Sequence, residues 1–305
     1  MPGVDGVDVS VLVVTYNATA YVEDCLGALP AALASHSHEV VVVDNASCDG
    51  TAALVRARFP HAVVLANARN RGFARANNQG IAMARGRQVL LLNPDTRAEP
   101  GSLDRLARLL DHDSTAGAVA PGLRNPDGSD QRTSRAFPTP AAAVFGRRSP
   151  LTRRFPRNRW SQRYLAAPSR GGSGPYPVDW VSGACLMVPR RVLDTVGGLD
   201  PGFFLYWEDA DWCRRIRAAG WSVVCDPLAV VVHDEGAQRA RPARQQWLFH
   251  QSAYRYYAKH HLRRASGTAR AAAAAGLFGR AAAVIAATAV RQVVHGRRPP
   301  AVGAP

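Results

Sequence analysis

The sequence predicts an α/β fold in which helices cover both faces of a sheet. Runs of apolar, β-branched residues, such as residues 9–16 and 88–92, are typical of parallel strands that are buried on both faces. Segments with helical signals alternate with these runs along the first half of the chain, as in an α/β sheet. Hydrophobic residues make up 47% of the 305 residues, which is typical of a globular protein with a core.

The predicted elements of the first half follow one another at short intervals. We expect strands at residues 9–16, 39–44, 63–66 and 88–92, and helices at residues 21–33, 47–59 and 72–84. Either Ser47 or Asp49 can cap the second of these helices. In such a sheet, ligands bind outside the carboxyl ends of the strands.

The second half is less regular. Residues 125–176 are rich in Arg, Pro, Gly and Ser and have few helix or strand signals, which is typical of functional loops or disorder. After them we expect a strand at 178–188, a turn at Gly197-Gly198, and a strand at 229–233. An acidic helix is expected between these, at 208–219, with Gly220 at its end.

The C-terminal region is predicted to be a basic helical extension, residues 263–296, followed by a disordered tail, residues 297–305. Residues 271–294 are alanine-rich and helix-prone, but Arg280 and Arg291 interrupt them. This pattern favours packing on the main domain, or contact with an anionic membrane surface, over a membrane span.

The formal net charge is +15, and Lys259 is the only lysine. Such a charge favours phosphates, nucleic acid or an acidic membrane as partners, and arginine binds diphosphates well. Because the charge looks dispersed and no nucleic-acid-binding motif is present, we do not expect a nucleic-acid partner. The five scattered cysteines contain no Cys-x-x-Cys pair and no signal peptide is evident, so we expect a reducing cytoplasm.

Polar residues follow three of the predicted strands, as Thr15-Tyr16-Asn17, Asp44-Asn45 and Asn93-Pro94-Asp95. Each group alone is an ordinary set of turn formers. Three groups at equivalent topological positions favour a binding site at one edge of the sheet. Asp95 could hold a divalent cation, Mg²⁺ or Mn²⁺, on a diphosphate, and His233 could be a second ligand or a hydrogen-bonded strand-end histidine.

A second feature is the turn and helix at residues 67–79, which carry Arg69, Arg71 and Arg75. A helix N-terminus surrounded by arginines is typical of an anion site, although a solvated basic face gives the same pattern.

Three carboxylates, Glu208, Asp209 and Asp211, lie among large aromatic residues at the start of the acidic helix. Aromatic surroundings raise the proton affinity of a carboxylate, as suits a general base, but the helix dipole alone can also favour acids here. Asp211 has Arg214 and Arg215 three and four residues on, which predicts a surface ion pair. Asp209 has no such partner, so we expect it to be the base, with Glu208 supporting it.

The motifs resemble glycosyltransferase family 2, and in particular its bacterial rhamnosyltransferase-like branch. The matching segments are Val-Val-Thr-Tyr-Asn at 13–17, Val-Asp-Asn-Ala-Ser at 43–47 with Asp-Gly-Thr at 49–51, Asn-Arg-Gly-Phe-Ala at 70–74 with Asn-Asn-Gln-Gly at 77–80, Leu-Asn-Pro-Asp-Thr at 92–96, Val-Ser-Gly-Ala at 181–184, Gly-Gly-Leu-Asp at 197–200, residues 203–215, and His233. The resemblance covers about residues 9–236.

The resemblance implies a GT-A fold, a Rossmann-like mixed sheet, in residues 1–262. The nucleotide-sugar-binding half would be 1–120 and the acceptor-binding half 121–262. The reaction would be inverting sugar transfer from a nucleoside diphosphate sugar, with Asp209 as base and Asp95 at the metal. Residues placed at the donor are Thr15, Tyr16, Asn17, Asp44, Asn45, Ser47, Asn70, Arg71, Gly72, Phe73, Asn77, Asn93 and Asp95. Residues placed at the acceptor or sugar pocket are Gly183, Ala184, Trp207 and Asp211.

The chain departs from many relatives in having Asn93-Pro94-Asp95 instead of Asp-x-Asp, which weakens the expected metal site. The Gln-x-x-Arg-Trp motif of processive synthases is absent, so we expect transfer of a single sugar. The expected donor is dTDP-L-rhamnose and the expected acceptor a lipid-linked or cell-envelope glycan at the inner membrane face. A UDP-hexose donor, a non-catalytic homologue and a homo-oligomer stay open.

Overall fold

The computed structural model describes residues 6–131, 134–139, 154, 174–234 and 243–296, with side chains described up to residue 290. The chain divides into two compact units. The first comprises the described residues of Met1–Phe204 and Glu208–Glu235, and the second those of Leu205–Trp207 and Gly236–Pro305. The predicted domain limits at residues 120 and 262 concern function and stay predictions, and the predicted disordered tail lies outside the described residues.

Within its described residues, the first unit has nine strands and seven helices. The strands are β1 Val9–Thr15, β2 His38–Asp44, β3 Val63–Ala66, β4 Gln88–Leu92, β5 Thr96–Ala98, β6 Ala116–Arg124, β7 Tyr176–Val178, β8 Cys185–Pro189 and β9 Ser222–His233. The helices are α1 Val22–Gly27, α2 Leu29–Ala32, α3 Thr51–Arg58, α4 Phe73–Met83, α5 Ser102–His112, α6 Arg190–Val196 and α7 Glu208–Ala218.

The strands form one mixed sheet, which confirms the predicted fold class. Its order is β3-β2-β1-β4-β8-β6-β9-β5, and β7 pairs with β9. Strands β3, β2, β1 and β4 are parallel, as the alternation of strands and helices predicts, whereas β8 is antiparallel to β4. The polar strand ends lie in the parallel part.

The register of the sheet brings the polar strand ends together. Thr15 pairs with Asp44 across β1 and β2, and Val13 pairs with Leu92 across β1 and β4. At the other side of the sheet, His233 pairs with Thr96. The Asp234 amide donates to the Asp95 carbonyl at 2.9 Å, so His233 lies beside the Asn93-Pro94-Asp95 turn.

The core lies on both faces of the sheet. All seven residues of β1 are buried. Val11 and Val13 point into one apolar cluster with residues of α1 and α5, while Leu12 and Val14 point into a second cluster with residues of α4 and α7. Burial on both faces explains why the sequence of β1 is a continuous apolar run rather than an alternating pattern.

Several elements differ from the prediction. The expected helix at 21–33 is two helices, because Pro30 has no amide hydrogen to continue the first one. The expected strand at 178–188 is β7 and β8 with a turn between them. Neither proposed cap lies at the N-cap of α3, which is Gly50. The Asp49 carboxylate accepts the Thr51 amide at 3.1 Å from one residue earlier, and Ser47 bonds to Asp44.

The second unit has two long helices among its described residues, α8 Ala243–His260 and α9 Gly267–Gly296. The ring of Trp207 packs within this unit on three aromatic rings of α8, those of Phe249, Tyr256 and Tyr257, at 5.4–5.7 Å between centroids. By length and composition alone, one stretch of the described residues is apolar enough to cross a membrane, Gly267–Val290, and 6% of it is buried.

Candidate active site

The first polar strand end is a buried hydrogen-bonded turn built around Asp44. The hydroxyls of Thr15 and Ser47 donate to Oδ1 of Asp44 at 2.8 Å and 2.5 Å, and the Ser47 amide donates to Oδ2 at 3.0 Å. The Asn17 amide donates to the Ser47 hydroxyl at 2.9 Å, and Asn17 has a φ of 53°. These bonds occupy Asp44 and leave Tyr16, which is 51% exposed, at the open edge of the sheet.

Asn45 connects the end of β2 to the loop before α4. Its side-chain amide donates to Asn70 Oδ1 at 3.0 Å and to the Gly72 carbonyl at 3.2 Å. Its Oδ1 accepts the Arg71 amide at 2.9 Å. Because Asn45 is buried, this bonding fixes the loop and leaves the exposed Arg71 side chain at the surface.

Gly72 and Phe73 bring the start of α4 against the segment before α7. Gly72 has a φ of 83°, and a Cβ at this position would lie 2.5 Å from the Phe204 carbonyl oxygen. The same oxygen accepts the Phe73 amide at 2.7 Å. The close backbone approach therefore requires a glycine.

Asn77, expected at the donor, is turned into the fold. It is buried, and its side-chain amide donates to the Phe73 carbonyl at 3.0 Å, one turn earlier in α4. The predicted role of Asn77 at the donor stays a prediction. Its neighbour Asn78 is structural too, since it exchanges two hydrogen bonds with the Leu199 backbone at 2.7 Å and 2.9 Å.

The second polar strand end holds two buried oxygens, Oδ1 of Asn93 and Oδ1 of Asp95, that have no hydrogen-bond donor among the described residues. The Asp95 oxygen lies 3.3 Å from Nε2 of His233. Asn93 is held by its backbone, since its amide donates to the Ala184 carbonyl at 2.8 Å. Ala184 itself is buried in the core, and its predicted place in the sugar pocket stays a prediction.

Gln131 determines which nitrogen of His233 carries hydrogen. The Gln131 amide nitrogen donates to the His233 carbonyl at 2.6 Å, so its Oε1 is the atom that lies 3.0 Å from Nδ1 of the ring. An amide oxygen only accepts, so Nδ1 carries the hydrogen. In the neutral ring, Nε2 then turns a lone pair toward the Asp95 carboxylate, and a cation between the two groups would satisfy both.

The residues at this edge therefore fit a divalent cation, with Asp95 and His233 as ligands and Asn93 beside them. No group of three or more His, Cys, Asp or Glu side chains within the described residues is arranged to hold a metal. Two protein ligands are typical of a site in which substrate phosphates supply others.

The candidate base, Asp209, lies beside Gly183 and Phe73. Its Oδ2 accepts the Gly183 amide at 3.1 Å and its Oδ1 accepts the Ala210 amide at 2.8 Å. A Cβ on Gly183 would lie 3.4 Å from Asp209 and 3.7 Å from the Phe73 ring. Asp209 therefore joins the start of α7 to residues from both predicted halves of the domain.

Asp209 is partly exposed, but protein encloses its carboxyl group. Burial raises the pKa of this carboxyl above its ordinary value, while the amides of Gly183 and Ala210 and the charge of Arg135 act in the opposite direction. An oriented carboxylate with a raised pKa has the properties of a general base.

Asp211 differs from its predicted surroundings. It is completely buried, and Oδ2 accepts the Nε hydrogen of Arg215 at 3.0 Å. Arg215 also donates to the carbonyls of Val196 and Gly198 at 2.9 Å and 2.7 Å. The pair with Arg215 is thus internal rather than on the surface, and the predicted place of Asp211 at the acceptor pocket stays a prediction. Glu208 is also buried.

Arg135 is the charged residue that the sequence reasoning missed. Its backbone exchanges two hydrogen bonds with Trp180, at 3.0 Å and 3.1 Å, and its guanidinium lies 5.4 Å from the Trp180 ring centroid. Its charge acts on Asp209. No periodic signal marks it, because it lies in the irregular segment after β6.

Comparison with known proteins decides the family. The profile of "Glycosyl transferase family 2" matches residues 10–196, which is more than half of the chain. The chain belongs to glycosyltransferase family 2. It is 33% identical over 263 residues to "N-acetylglucosaminyl-diphospho-decaprenol L-rhamnosyltransferase" of Mycobacterium tuberculosis strain H37Rv, covering 82% of this chain and 84% of the relative. The predicted resemblance to the rhamnosyltransferase-like branch and the predicted glycosyltransferase activity are confirmed.

Solved structures confirm the GT-A fold of this family 2 enzyme. The mannosyltransferase PcManGT from Pyrobaculum calidifontis, in complex with GDP-Man and Mn²⁺, superposes with a TM-score of 0.55 and 21% identity, over 95% of this chain and 79% of the other. GalNAc-T7 with UDP, GalNAc and Mn²⁺ gives a TM-score of 0.58 at 16% identity, over 82% of this chain. The chain spans about half the length of GalNAc-T7, matching 47% of it.

Proposed function

We propose that this glycosyltransferase transfers L-rhamnose from dTDP-L-rhamnose, with inversion, to a hydroxyl of a lipid-linked or cell-envelope glycan. The reaction would take place at the cytoplasmic face of the plasma membrane. The observation that carries the proposal is the position of Asp209, an oriented carboxylate with a raised pKa that lies beside Gly183 and near Phe73 of α4. The name of the mycobacterial relative supports the choice of rhamnose and of a lipid-linked acceptor.

The donor would bind at the edge formed by β1, β2 and β4. Asp44 and Asn45 hold the two loops in place, so the groups that they leave at the surface, Tyr16 and Arg71, would contact the nucleotide. Arg69, Arg71 and Arg75 are all exposed around the start of α4, where an anion is favoured.

Asp95 and His233 would hold a Mg²⁺ or Mn²⁺ ion at the diphosphate. When bound, the cation stabilises the negative charge that develops as the diphosphate leaves. The residues of this chain contribute two features of their own, a histidine whose Nδ1 is held by Gln131 and a buried carboxylate oxygen that no described group satisfies.

Asp209 would take the proton of the acceptor hydroxyl as that oxygen attacks the anomeric carbon. The Gly183 amide holds one carboxylate oxygen, so the orientation of the base is fixed before the acceptor binds. A positioned general base contributes about 10²–10⁴-fold to the rate. A single displacement inverts the anomeric centre and leaves no covalent sugar on the protein.

A UDP-hexose is the second candidate donor, because GalNAc-T7 holds UDP on the same fold. A thermal-shift panel of dTDP-rhamnose, UDP-glucose and GDP-mannose, with and without Mn²⁺, separates the donors, since a ligand that binds the native state raises its melting temperature. We expect the largest shift with dTDP-rhamnose. A shift with GDP-mannose alone would overturn the rhamnose assignment, and a shift with UDP-glucose alone would favour the second candidate.

A further inference from the structure

The net positive charge of the chain is concentrated in its last 70 residues. Residues 236–305 contain 12 Arg and Lys and no Asp or Glu, whereas residues 1–235 contain 26 Arg and Lys against 23 Asp and Glu. The basic residues are dispersed, as expected, but the acidic residues are not, so the net charge is uneven. The C-terminal segment carries most of the net charge and is the part most strongly attracted to an anionic surface.

Helix α9 leaves one face open. It packs on α8 through Phe278, whose ring centroid lies 5.0 Å from that of Trp247 and 5.9 Å from that of Tyr254. Between residues 271 and 290, the exposed positions are all Ala, Gly or Val, and Val290 is 61% exposed. An exposed apolar face of this length marks a surface that interacts with a partner.

The exposed face of α8 is basic and aromatic. Arg244, Trp247, Gln251 and Arg255 are exposed at a spacing of three and four residues, which places them on one face of the helix. Trp247 is 44% exposed although its ring also contacts α9. A tryptophan between arginines is typical of a surface that lies in the headgroup region of a bilayer.

Arg280 distinguishes a helix that lies on the membrane from one that crosses it. It divides Gly267–Val290 into apolar runs at 271–279 and 281–290, each only about 15 Å long at about 1.5 Å per residue. A bilayer core is about 30 Å thick, so a spanning α9 would carry Arg280 near the centre, where arginine is among the costliest residues. In the plane of the headgroups, the same side chain reaches phosphates directly.

We propose that the α8–α9 hairpin docks on an anionic phospholipid bilayer, with α9 lying in the headgroup plane. The docking surface consists of Arg244, Trp247 and Arg255 of α8 together with Arg270 and the exposed apolar face of α9. Charge complementarity selects this partner, because the unit is basic and has no acidic residue to repel anionic lipids. The proposal rests on the proposed function, which places the reaction at the membrane, and assigns the membrane contact to a defined surface.

Vesicle flotation with the full-length protein tests the proposal without substrate. We expect binding to vesicles of phosphatidylglycerol and phosphatidylcholine, none to phosphatidylcholine alone, and release at about 1 M salt, where the screening length is about 3 Å. Each arginine near an anionic surface contributes roughly fivefold to partitioning. The double variant Arg244→Gln, Arg255→Gln should therefore bind at least about tenfold more weakly. The control Arg56→Gln, Arg108→Gln removes equal charge from exposed positions of α3 and α5 and should bind normally.

A second pair of variants tests the apolar face. Ala283→Glu with Ala287→Glu places two carboxylates on exposed positions of α9 one turn apart, and should abolish binding. Ala53→Glu with Ala57→Glu makes the same change on α3 and should leave binding intact. Circular dichroism of each variant confirms that the helices are formed.

Three results would overturn the proposal. They are equal binding to both kinds of vesicle, equal losses in the variants and their controls, and binding that resists high salt and alkaline washing as a spanning helix would. The first result includes the case in which the protein binds neither kind of vesicle because α9 forms dimers instead. Donor thermal shifts and transfer to a detergent-soluble acceptor are measured separately, so failure of the proposed reaction is distinguishable from failure of docking.

Discussion

The amide of Gly183 donates a 3.1 Å hydrogen bond to Oδ2 of Asp209 and so orients the carboxylate that the spacing of α7 singles out as the base. Two residues along the helix, Asp211 is completely buried and bonded to Arg215. Two neighbouring acids thus have different surroundings. Asp209 has an enclosed carboxyl group whose pKa burial raises, and Asp211 is an internal anion paired with Arg215.

Replacing the base should stop transfer without affecting the donor. Asp209→Asn keeps the size of the side chain but cannot take a proton, so we expect kcat to fall by about 10²–10⁴-fold. The thermal shift by dTDP-rhamnose should remain. Asp194→Asn, an exposed acid of α6, is the matched control. Transfer by Asp209→Asn within a few-fold of the unchanged enzyme would remove Asp209 from the mechanism.

The pH dependence should follow the raised pKa of Asp209. Only the ionised carboxylate is a base, so kcat/KM should rise with pH through a pKa above that of an ordinary aspartate. Arg135 lowers this pKa, so Arg135→Gln should raise it and move the acidic limb of the profile to higher pH. Arg56→Gln, which removes an exposed charge of α3, should leave the limb in place. A limb that moves to lower pH in Arg135→Gln would contradict the effect of the Arg135 charge on Asp209.

The raised pKa also has a consequence for stability. Between the ordinary pKa of an aspartate and the raised folded-state value, the folded state binds more protons than the unfolded state, so Asp209 makes stability fall as pH rises. Asp209→Asn removes this effect and should raise the melting temperature at neutral pH. We therefore expect Asp209 to lower the stability of the folded protein at neutral pH.

Removing one member of the internal ion pair of Asp211 and Arg215 should lower stability, whereas Asp209→Asn should raise it. Asp211→Ala leaves the Arg215 guanidinium without its buried partner, and removing one member of a buried pair costs about 3–5 kcal/mol. Urea unfolding measures the loss. The exposed pair of Arg58 and Glu23 is the control, because a surface pair contributes about 0–1 kcal/mol and Glu23→Gln should change little. Similar losses in both variants would contradict the buried position of Asp211.

The sequence predicted those parts of the site that depend on local patterns, namely strand ends and helix spacing. Polar ends of parallel strands converge by topology, so Thr15 and Asp44 could be expected together, and helix spacing identified Arg215 as a partner of Asp211. Periodicity of four residues cannot say whether a helical face points to solvent, so the pair was expected on the surface. Burial depends on what packs from elsewhere in the chain, here the turn at Val196 and Gly198.

Long-range contacts were beyond the sequence for the same reason. Arg135 lies in an irregular segment and acts on Asp209 through its charge. Asn77 shares a motif with residues of the loop before α4 but turns to the Phe73 carbonyl inside its own helix. Strands β5 and β6 and the helix between them, α5, were not predicted, although α5 has buried leucines at helical spacing, Leu103, Leu106 and Leu110. That signal was present in the sequence.

Gly72 should tolerate no side chain. Gly72→Ala adds a Cβ 2.5 Å from the Phe204 carbonyl oxygen and also strains a φ of 83°. Gly101 is the matched control, because its φ is 70° and nothing lies within 4 Å of an added Cβ. We expect Gly101→Ala to cost about 1 kcal/mol from strain alone, and Gly72→Ala to cost more and to weaken donor binding. Equal unfolding free energies for the two variants would show that the loop can move away from Phe204.

The last prediction concerns the cation. Asp95→Asn keeps the shape of the side chain at the end of β4 but removes its charge, and His233→Gln removes the ring nitrogen that lies 3.3 Å from it. Each change should abolish the extra thermal shift that Mn²⁺ adds to dTDP-rhamnose, while the shift by the nucleotide sugar alone persists through the loops held by Asp44 and Asn45. Asp194→Asn should keep both shifts. If His233→Gln retains the Mn²⁺ increment and Asp95→Asn loses it, the histidine is a hydrogen-bonded neighbour of a one-carboxylate site, with Asn93 Oδ1 the remaining buried oxygen that could complete it.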